Sequence, residues 1–329
     1  MNLRPVASRR AMRGLSLIEL MVSLTIGLIL MVAIVSAYLG SSAATQIAQS
    51  QARMNEDGQA ALAILTQHLR MAGNNPIQPN YPDTAQRNPA FDATNPYAIR
   101  GCDGTFGSMS TALIDSLTCT SGTSPDSVAV RYEADQYNTV KSGTVPTDCL
   151  GQALQPTTAS VTMWDGVTTA LSGTPPALHP VLAPVNVNFY VADNRFYIAS
   201  LSGTPNLYCK GNGGATAYAS AAQPLVENIE DLQILYRAAN ATGAAMTVAG
   251  YLPASGIDAL ATSPADTPTR WSRVMTARVC VMVRSESQVA PDVASAQYND
   301  CSGTAVTPSD RYLHRAYSTT VVLRNRITP

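Results

Sequence analysis

Arg13-Gly14-Leu15-Ser16-Leu17-Ile18-Glu19-Leu20-Met21-Val22-Ser23-Leu24-Thr25-Ile26-Gly27-Leu28-Ile29-Leu30-Met31-Val32-Ala33-Ile34-Val35-Ser36-Ala37-Tyr38-Leu39 is an apolar stretch long enough to cross a bilayer, with one carboxylate, Glu19, near its start. A charged side chain in such a segment costs a few kcal/mol on insertion scales of about 2.5 to 3.5, so Glu19 is a functional residue by default. Ahead of it, the first fourteen residues carry Arg4, Arg9, Arg10 and Arg13 and no acid. The positive-inside rule leaves that end in the cytoplasm and sends the rest of the chain across the membrane. A secretory signal would have a shorter apolar core and a small-x-small cleavage site, whereas here the run continues from Leu20 to Leu39 and is expected to be retained. A plain signal anchor would have no use for Glu19.

Gly14-Leu15-Ser16-Leu17-Ile18-Glu19 followed by the apolar run resembles the type IV prepilin signature. The resemblance implies that a prepilin peptidase cuts after Gly14 and methylates the new N-terminus at Leu15, a position where the family usually has Phe. It also implies that Glu19 of an incoming subunit meets the N-terminal ammonium of its neighbour. The physics agrees, because a charge buried among packed helices needs a partner and a paired charge fixes axial register that apolar packing leaves loose.

Over the whole chain 21 basic residues face 22 acidic ones. Without the four leader arginines the net charge falls to about −5 by the same count. All basic residues but Lys141 and Lys210 are Arg, scattered along the chain with no basic run, so no nucleic-acid partner is expected. The six cysteines, Cys102, Cys119, Cys149, Cys209, Cys280 and Cys301, all lie beyond the membrane run, on the side facing an oxidising periplasm, and are expected to form disulfides. Six cysteines allow 15 connectivities. Nearness in sequence favours Cys102 with Cys119 and Cys280 with Cys301, leaving Cys149 for Cys209. No Cys-x-x-Cys occurs and His68, His179 and His314 are remote from any Cys, which argues against a zinc site.

From Ser41 to Ala72 there is no Pro, and Ile47, Met54, Ala61, Leu62, Leu65 and Leu69 recur at helical spacing. Joined to the membrane run this makes one helix of roughly 85 Å at 1.5 Å per residue, with Gly40-Ser41-Ser42 and Gly58 as soft points and Gly73-Asn74-Asn75-Pro76 as its stop. The alternative is two helices hinged at Gly40. Residues 76–151 are rich in Pro, Asn, Thr and Gly and read as long loops around one strand, Ser127–Glu133. Further on, Val185–Val191 and Arg195–Ala199 read as a hairpin turning at Asp193-Asn194, and Ile234–Tyr236, Arg273–Val283 and Tyr317–Leu323 as strands. The expected class is α+β, a pilin-like fold in which a long N-terminal helix packs on an antiparallel head with disulfide-pinned loops. Its divisions are a leader (1–14), a transmembrane half-helix (15–39), an amphipathic half-helix (40–72) and a periplasmic or extracellular head (73–329).

The distal blocks Leu225-Val226-Glu227-Asn228-Ile229-Glu230-Asp231-Leu232-Gln233-Ile234-Leu235-Tyr236, Trp271-Ser272-Arg273-Val274 and Thr319-Thr320-Val321-Val322-Leu323-Arg324-Asn325 resemble the PilW-type minor pilins. Residues 76–184 resemble nothing nameable. The resemblance implies a low-copy type IV pilus subunit that starts in the inner membrane and ends at the pilus tip. It would prime assembly with other minor pilins and the major pilin and hold a large tip adhesin. A minor pseudopilin of a type II secretion system shares the N-terminus and is the alternative reading; a membrane-anchored periplasmic enzyme is the third. No Gly-x-Ser-x-Gly, P-loop, His-Glu-x-x-His or EF-hand pattern is present, so neither catalysis nor a cofactor nor a metal is expected. Asp103-Gly104 reads as a turn, Asn55–Gly58 as helix surface, His68 as a surface or interface residue of the helix, and His314 as flanking a strand.

Overall fold

The computed structural model describes residues 16–76, 97–107, 109, 114–120, 122, 125–170, 178–218, 220–239, 248, 250–262 and 265–326, with the backbone alone at 115, 161–170, 178–182 and 326. The chain divides into two compact units, Met1–Ser50 and Gln51–Pro329. Helix α1 (Leu17–Met71) starts in the first and ends in the second, and both Gly40 and Gly58 lie inside it. The expected soft points are therefore helical. Gly58 is a site of close approach: a Cβ there would stand 2.5 to 2.8 Å from the ring of Tyr317.

The second unit is built on two antiparallel sheets. Strands β1 (Ile99–Cys102), β2 (Ser127–Glu133), β3 (Lys141–Ser142), β4 (Val145–Pro146), β5 (Pro156–Ala170), β6 (Leu178–Leu201), β7 (Thr204–Lys210), β8 (Gln223–Glu227) and β9 (Ile229–Ala238) precede two short helices, α2 (Ala254–Asp258) and α3 (Thr267–Ser272). Then come β10 (Val274–Arg284), β11 (Tyr298–Asn299), β12 (Ala305–Val306) and β13 (His314–Val322). One sheet has the order β1-β2-β6-β7-β8 with β5 joined to β6; the other is β13-β10-β9, and β3-β4 and β11-β12 are small ribbons. The chain passes from one sheet to the other at Asn228, whose φ of 60° sits in the left-handed region that Asn tolerates better than most residues.

Within this unit α1 buries Met54, Gly58, Ala61, Leu65 and Leu69, a stripe at spacings of three and four. These residues share a core with Ile99, Val130, Phe196, Ile234, Val279 and Trp271. Each fully buried Leu contributes about 1.5 to 3 kcal/mol. The helix ends where the sequence places its stop: Gly73 has φ 73°, and its N–H donates to the Arg131 carbonyl at 2.9 Å. The side-chain amide of Asn325 donates to the Arg70 carbonyl (3.2 Å) and shares the Met71 carbonyl (3.4 Å) with the Asn74 N–H (2.8 Å).

The expected hairpin at Asp193-Asn194 is not formed. Both residues lie inside the 24-residue β6, paired with Arg131 and Val130 of β2. A polar pair can run through a buried strand only if its groups are satisfied, and here they are. Asp193 accepts from Arg195 Nε (3.2 Å) and Tyr218 Oη (2.5 Å), while Asn194 Oδ1 accepts from the Cys149 N–H (3.0 Å). The turn falls instead at Ser202-Gly203, both at positive φ, between the paired Leu201 and Thr204, as a two-residue hairpin requires. The loops expected over 76–151 also contain β1, a strand too short to show in the sequence pattern.

Three disulfides join Cys102 to Cys119, Cys149 to Cys209 and Cys280 to Cys301, with no free cysteine. Each pins an irregular segment to a strand: β1, β7 and β10 respectively. Asp103 accepts from the N–H groups of Ala254 (2.6 Å) and Ser255 (2.9 Å), so this aspartate caps α2 from another part of the chain.

Candidate assembly interface

In the first unit the apolar side chains stand open. Large hydrophobic residues from Leu17 to Leu39 range from 51% exposed at Leu20 to 80% at Leu17. The helix is long and apolar enough to cross a membrane, with a mean hydropathy of 2.6 over its most apolar window. Its hydroxyls do not break the apolar surface, because Ser23, Thr25 and Ser36 donate to the carbonyls of Leu20, Val22 and Ala33 within the same helix.

Glu19 is held at the start of this helix by a reciprocal pair of hydrogen bonds. Its N–H donates to Ser16 Oγ (3.2 Å), and the Ser16 N–H donates to Glu19 Oε2 (3.3 Å). This is a capping box. It satisfies two of the four N–H groups that every helix leaves unpaired, and it sets a carboxylate against the positive end of the helix dipole. The signal was present in the sequence as Ser-x-x-Glu before an apolar run; weighing Glu19 only as an intersubunit partner passes over its local role. Gly14 and Leu15 lie outside the described residues.

In the head, the polar interior is structural. His68 points inward from α1: its ring sits 5.0 Å from that of Phe196, and its Nδ1 is 3.1 Å from Tyr132 Oη. Burial pushes its pKa down to about 4, so the ring is neutral at ordinary pH. Asn194 Nδ2 also donates to Tyr132 Oη (3.0 Å), which links α1, β2, β6 and, through the Cys149 N–H, the second disulfide. A cavity of about 230 Å³ beside His68 is also lined by Asn138, Val140 and Asp148. Among the described residues no group of three or more His, Cys, Asp or Glu is placed to hold a metal ion.

The distal blocks converge on the helix–sheet contact. Trp271 packs edge-on against Tyr236 with ring centroids 4.8 Å apart, and its Nε1 donates to Asp258 Oδ1 (2.7 Å), under the Arg100 guanidinium. Leu225 and Val226 lie in β8, Tyr317 closes over Gly58, and Asn325 caps α1. His314, the first residue of β13, donates from Nε2 to Glu230 (3.0 Å) and stacks on Tyr298. The Glu230 carboxyl is held below its usual range by this hydrogen bond, against the opposing effect of burial.

Comparison with known families gives two matches. Residues 189–325 match the model of type IV pilus-assembly protein W, and residues 9–35 match the prokaryotic N-terminal methylation motif. No curated protein and no solved structure matches the chain. The two matches support a pilin-like role in pilus assembly, processing by a prepilin peptidase, membrane anchoring by the N-terminal helix and association with other pilins. They leave the first half of the head without a counterpart, and by these two matches the chain is similar to the PilW-type type IV pilins.

Proposed function

We propose that the chain is a minor pilin: a low-copy subunit that primes a type IV pilus and sits in its tip complex with other minor pilins. In this reading Gly14 marks the cleavage point and Leu15 becomes the methylated N-terminus in the inner membrane. The head faces the periplasm and later the cell surface, and a large adhesin is its partner at the tip. The observation that carries the reading is Glu19, the one carboxylate in the open apolar stretch of α1 from Leu17 to Leu39. In the single subunit it serves the Ser16 N–H; in a filament it exchanges that neutral donor for the ammonium of a neighbouring Leu15, a charge-assisted bond roughly twice as strong.

The bulk of the head supports a terminal position, since more than 250 residues beyond Gly73 would be hard to repeat densely along a thin shaft. Glu19→Ala tests the reading: the mutant should still be cleaved and inserted but be depleted from sheared filaments. Wild-type recovery in filaments would refute it. Counting surface pili in a deletion strain while assaying type II secretion separates the minor pilin from a pseudopilin. Normal piliation with defective secretion would favour the latter.

A further inference from the structure

β13 ends its sheet. On one side it pairs with β10 over nine consecutive residues, from Thr276↔Val322 to Arg284↔His314, without a register shift. On the other it pairs with no strand among the described residues, and β11 touches it only near its His314 end, where Tyr298 stacks on His314. Natural sheets protect such edges with charges, prolines or bulges. Here Ala316-Tyr317-Ser318-Thr319-Thr320-Val321-Val322 contains none of these, leaving roughly 23 Å of unprotected edge at about 3.3 Å per residue.

The open edge lies beside α1. Tyr317 Oη donates to Asn55 Oδ1 (2.6 Å) and, further along, Asn325 reaches Arg70, so strand and helix run side by side. Between them is a groove of about 660 Å³, with Leu62, Ala63 and Met71 on the helix side and Ser318 and Thr319 on the strand side. Arg70 is the one charged residue lining it, and this exposed arginine forms no ion pair among the described residues.

We propose that this groove receives an extended strand from a protein partner, which pairs with the β13 edge, sets alternate aliphatic side chains against Leu62 and Ala63, and places a carboxylate on Arg70. Backbone pairing at an open edge supplies affinity, while the flanking pockets and charge select the sequence. The surface is separate from the apolar half of α1, so the inference stands whether or not that half packs into a filament.

The test uses the full chain in detergent micelles and two eight-residue peptides of alternating Val and Thr, one ending in Glu and one in Lys. The Glu peptide should bind and slow amide hydrogen exchange across Ala316–Val322. Arg70→Glu should weaken it about fivefold and reverse the preference toward the Lys peptide, as expected for exposed charge pairs. Ser318→Lys, an exposed change, should abolish binding and leave the circular dichroism unchanged. Absence of binding, protection at other strands, or indifference to Arg70→Glu would overturn the proposal. Protection of the same amides that rises with protein concentration without peptide would identify a second copy as the occupant, and would overturn it too.

Discussion

Replacing Gly58 by Ala inside a helix should on propensity alone stabilise the protein by about 1 kcal/mol. The structure reverses that sign. The added Cβ would lie 2.5 Å from Tyr317 Cδ2, 2.7 Å from Cε2 and 2.8 Å from Cγ, so relief requires the ring to leave its χ1 rotamer or the strand to shift. Relieving the overlap costs about 1 to 3 kcal/mol. Displacing the ring also strains the Tyr317–Asn55 hydrogen bond, worth about 1 kcal/mol. The net expectation is destabilisation by about 1 to 3 kcal/mol, read as a lower urea midpoint at constant slope for the full chain in detergent. In a Tyr317→Ala background the space is free, so Gly58→Ala should become stabilising by about 1 kcal/mol. The sign change between backgrounds is a coupling energy that contact alone can produce. An equal rise of the midpoint in both backgrounds would refute the close-packing argument.

Two buried groups should give the head opposing pH responses. Burial raises the Asp126 pKa to about 7, so its contribution is fully present below about 4 and is lost as pH rises through 7. Asp126→Asn, which can still accept from the Ile234 N–H, should raise stability at pH 8 more than at pH 4, and equal gains at both would contradict this. His68, held down to about 4, acts the other way: stability falls as pH drops from about 6.5 to 4, and a His68 ring titrating near 6.5 by NMR would refute its burial. Non-reducing peptide mapping should recover Cys102–Cys119, Cys149–Cys209 and Cys280–Cys301, and a Cys149→Ser/Cys209→Ser variant should lose about 2 to 5 kcal/mol. A different set of linked peptides, or no loss on removing that bridge, would count against the assignment.

The long helix, β2, β10 and β13 are legible because local pattern and tertiary role agree there: a Pro-free run with a buried stripe, or uninterrupted β-branched alternation. Asp193-Asn194 misleads because its turn propensity is local, whereas the groups that hold it extended are distant: Tyr132, Cys149 and Tyr218. No window of sequence contains that network. Gly58 shows the same limit, since a glycine read as a weak point proves to be a contact with a residue far away in the chain. Within the block Leu225–Tyr236 two strands, β8 and β9, follow each other almost without a break, because the change of sheet is concentrated in the single left-handed Asn228. At the candidate interface, Glu19 stands out by its cost in an apolar run, while its capping bond to Ser16 becomes evident only when both directions of the hydrogen-bond pair are considered.

The contact of Tyr317 with Asn55 spans 262 residues, and that of Asn325 with Arg70 spans 255. During synthesis the helix therefore emerges long before this strand, which adds to its cover. Loop closure over such a length must precede any reward from the contact, so Tyr317 and Asn325 reach the helix only after the whole intervening chain has been made. A chain interrupted before β13 would have the complete N-terminal segment but an unfinished head, with Leu65 and Leu69 short of cover and the helix C-terminus lacking its Asn325 cap. Chaperones and proteases in the compartment where the head folds recognise such exposed apolar surface. The distant closing strand thus makes a subunit's survival before assembly depend on its having been made in full.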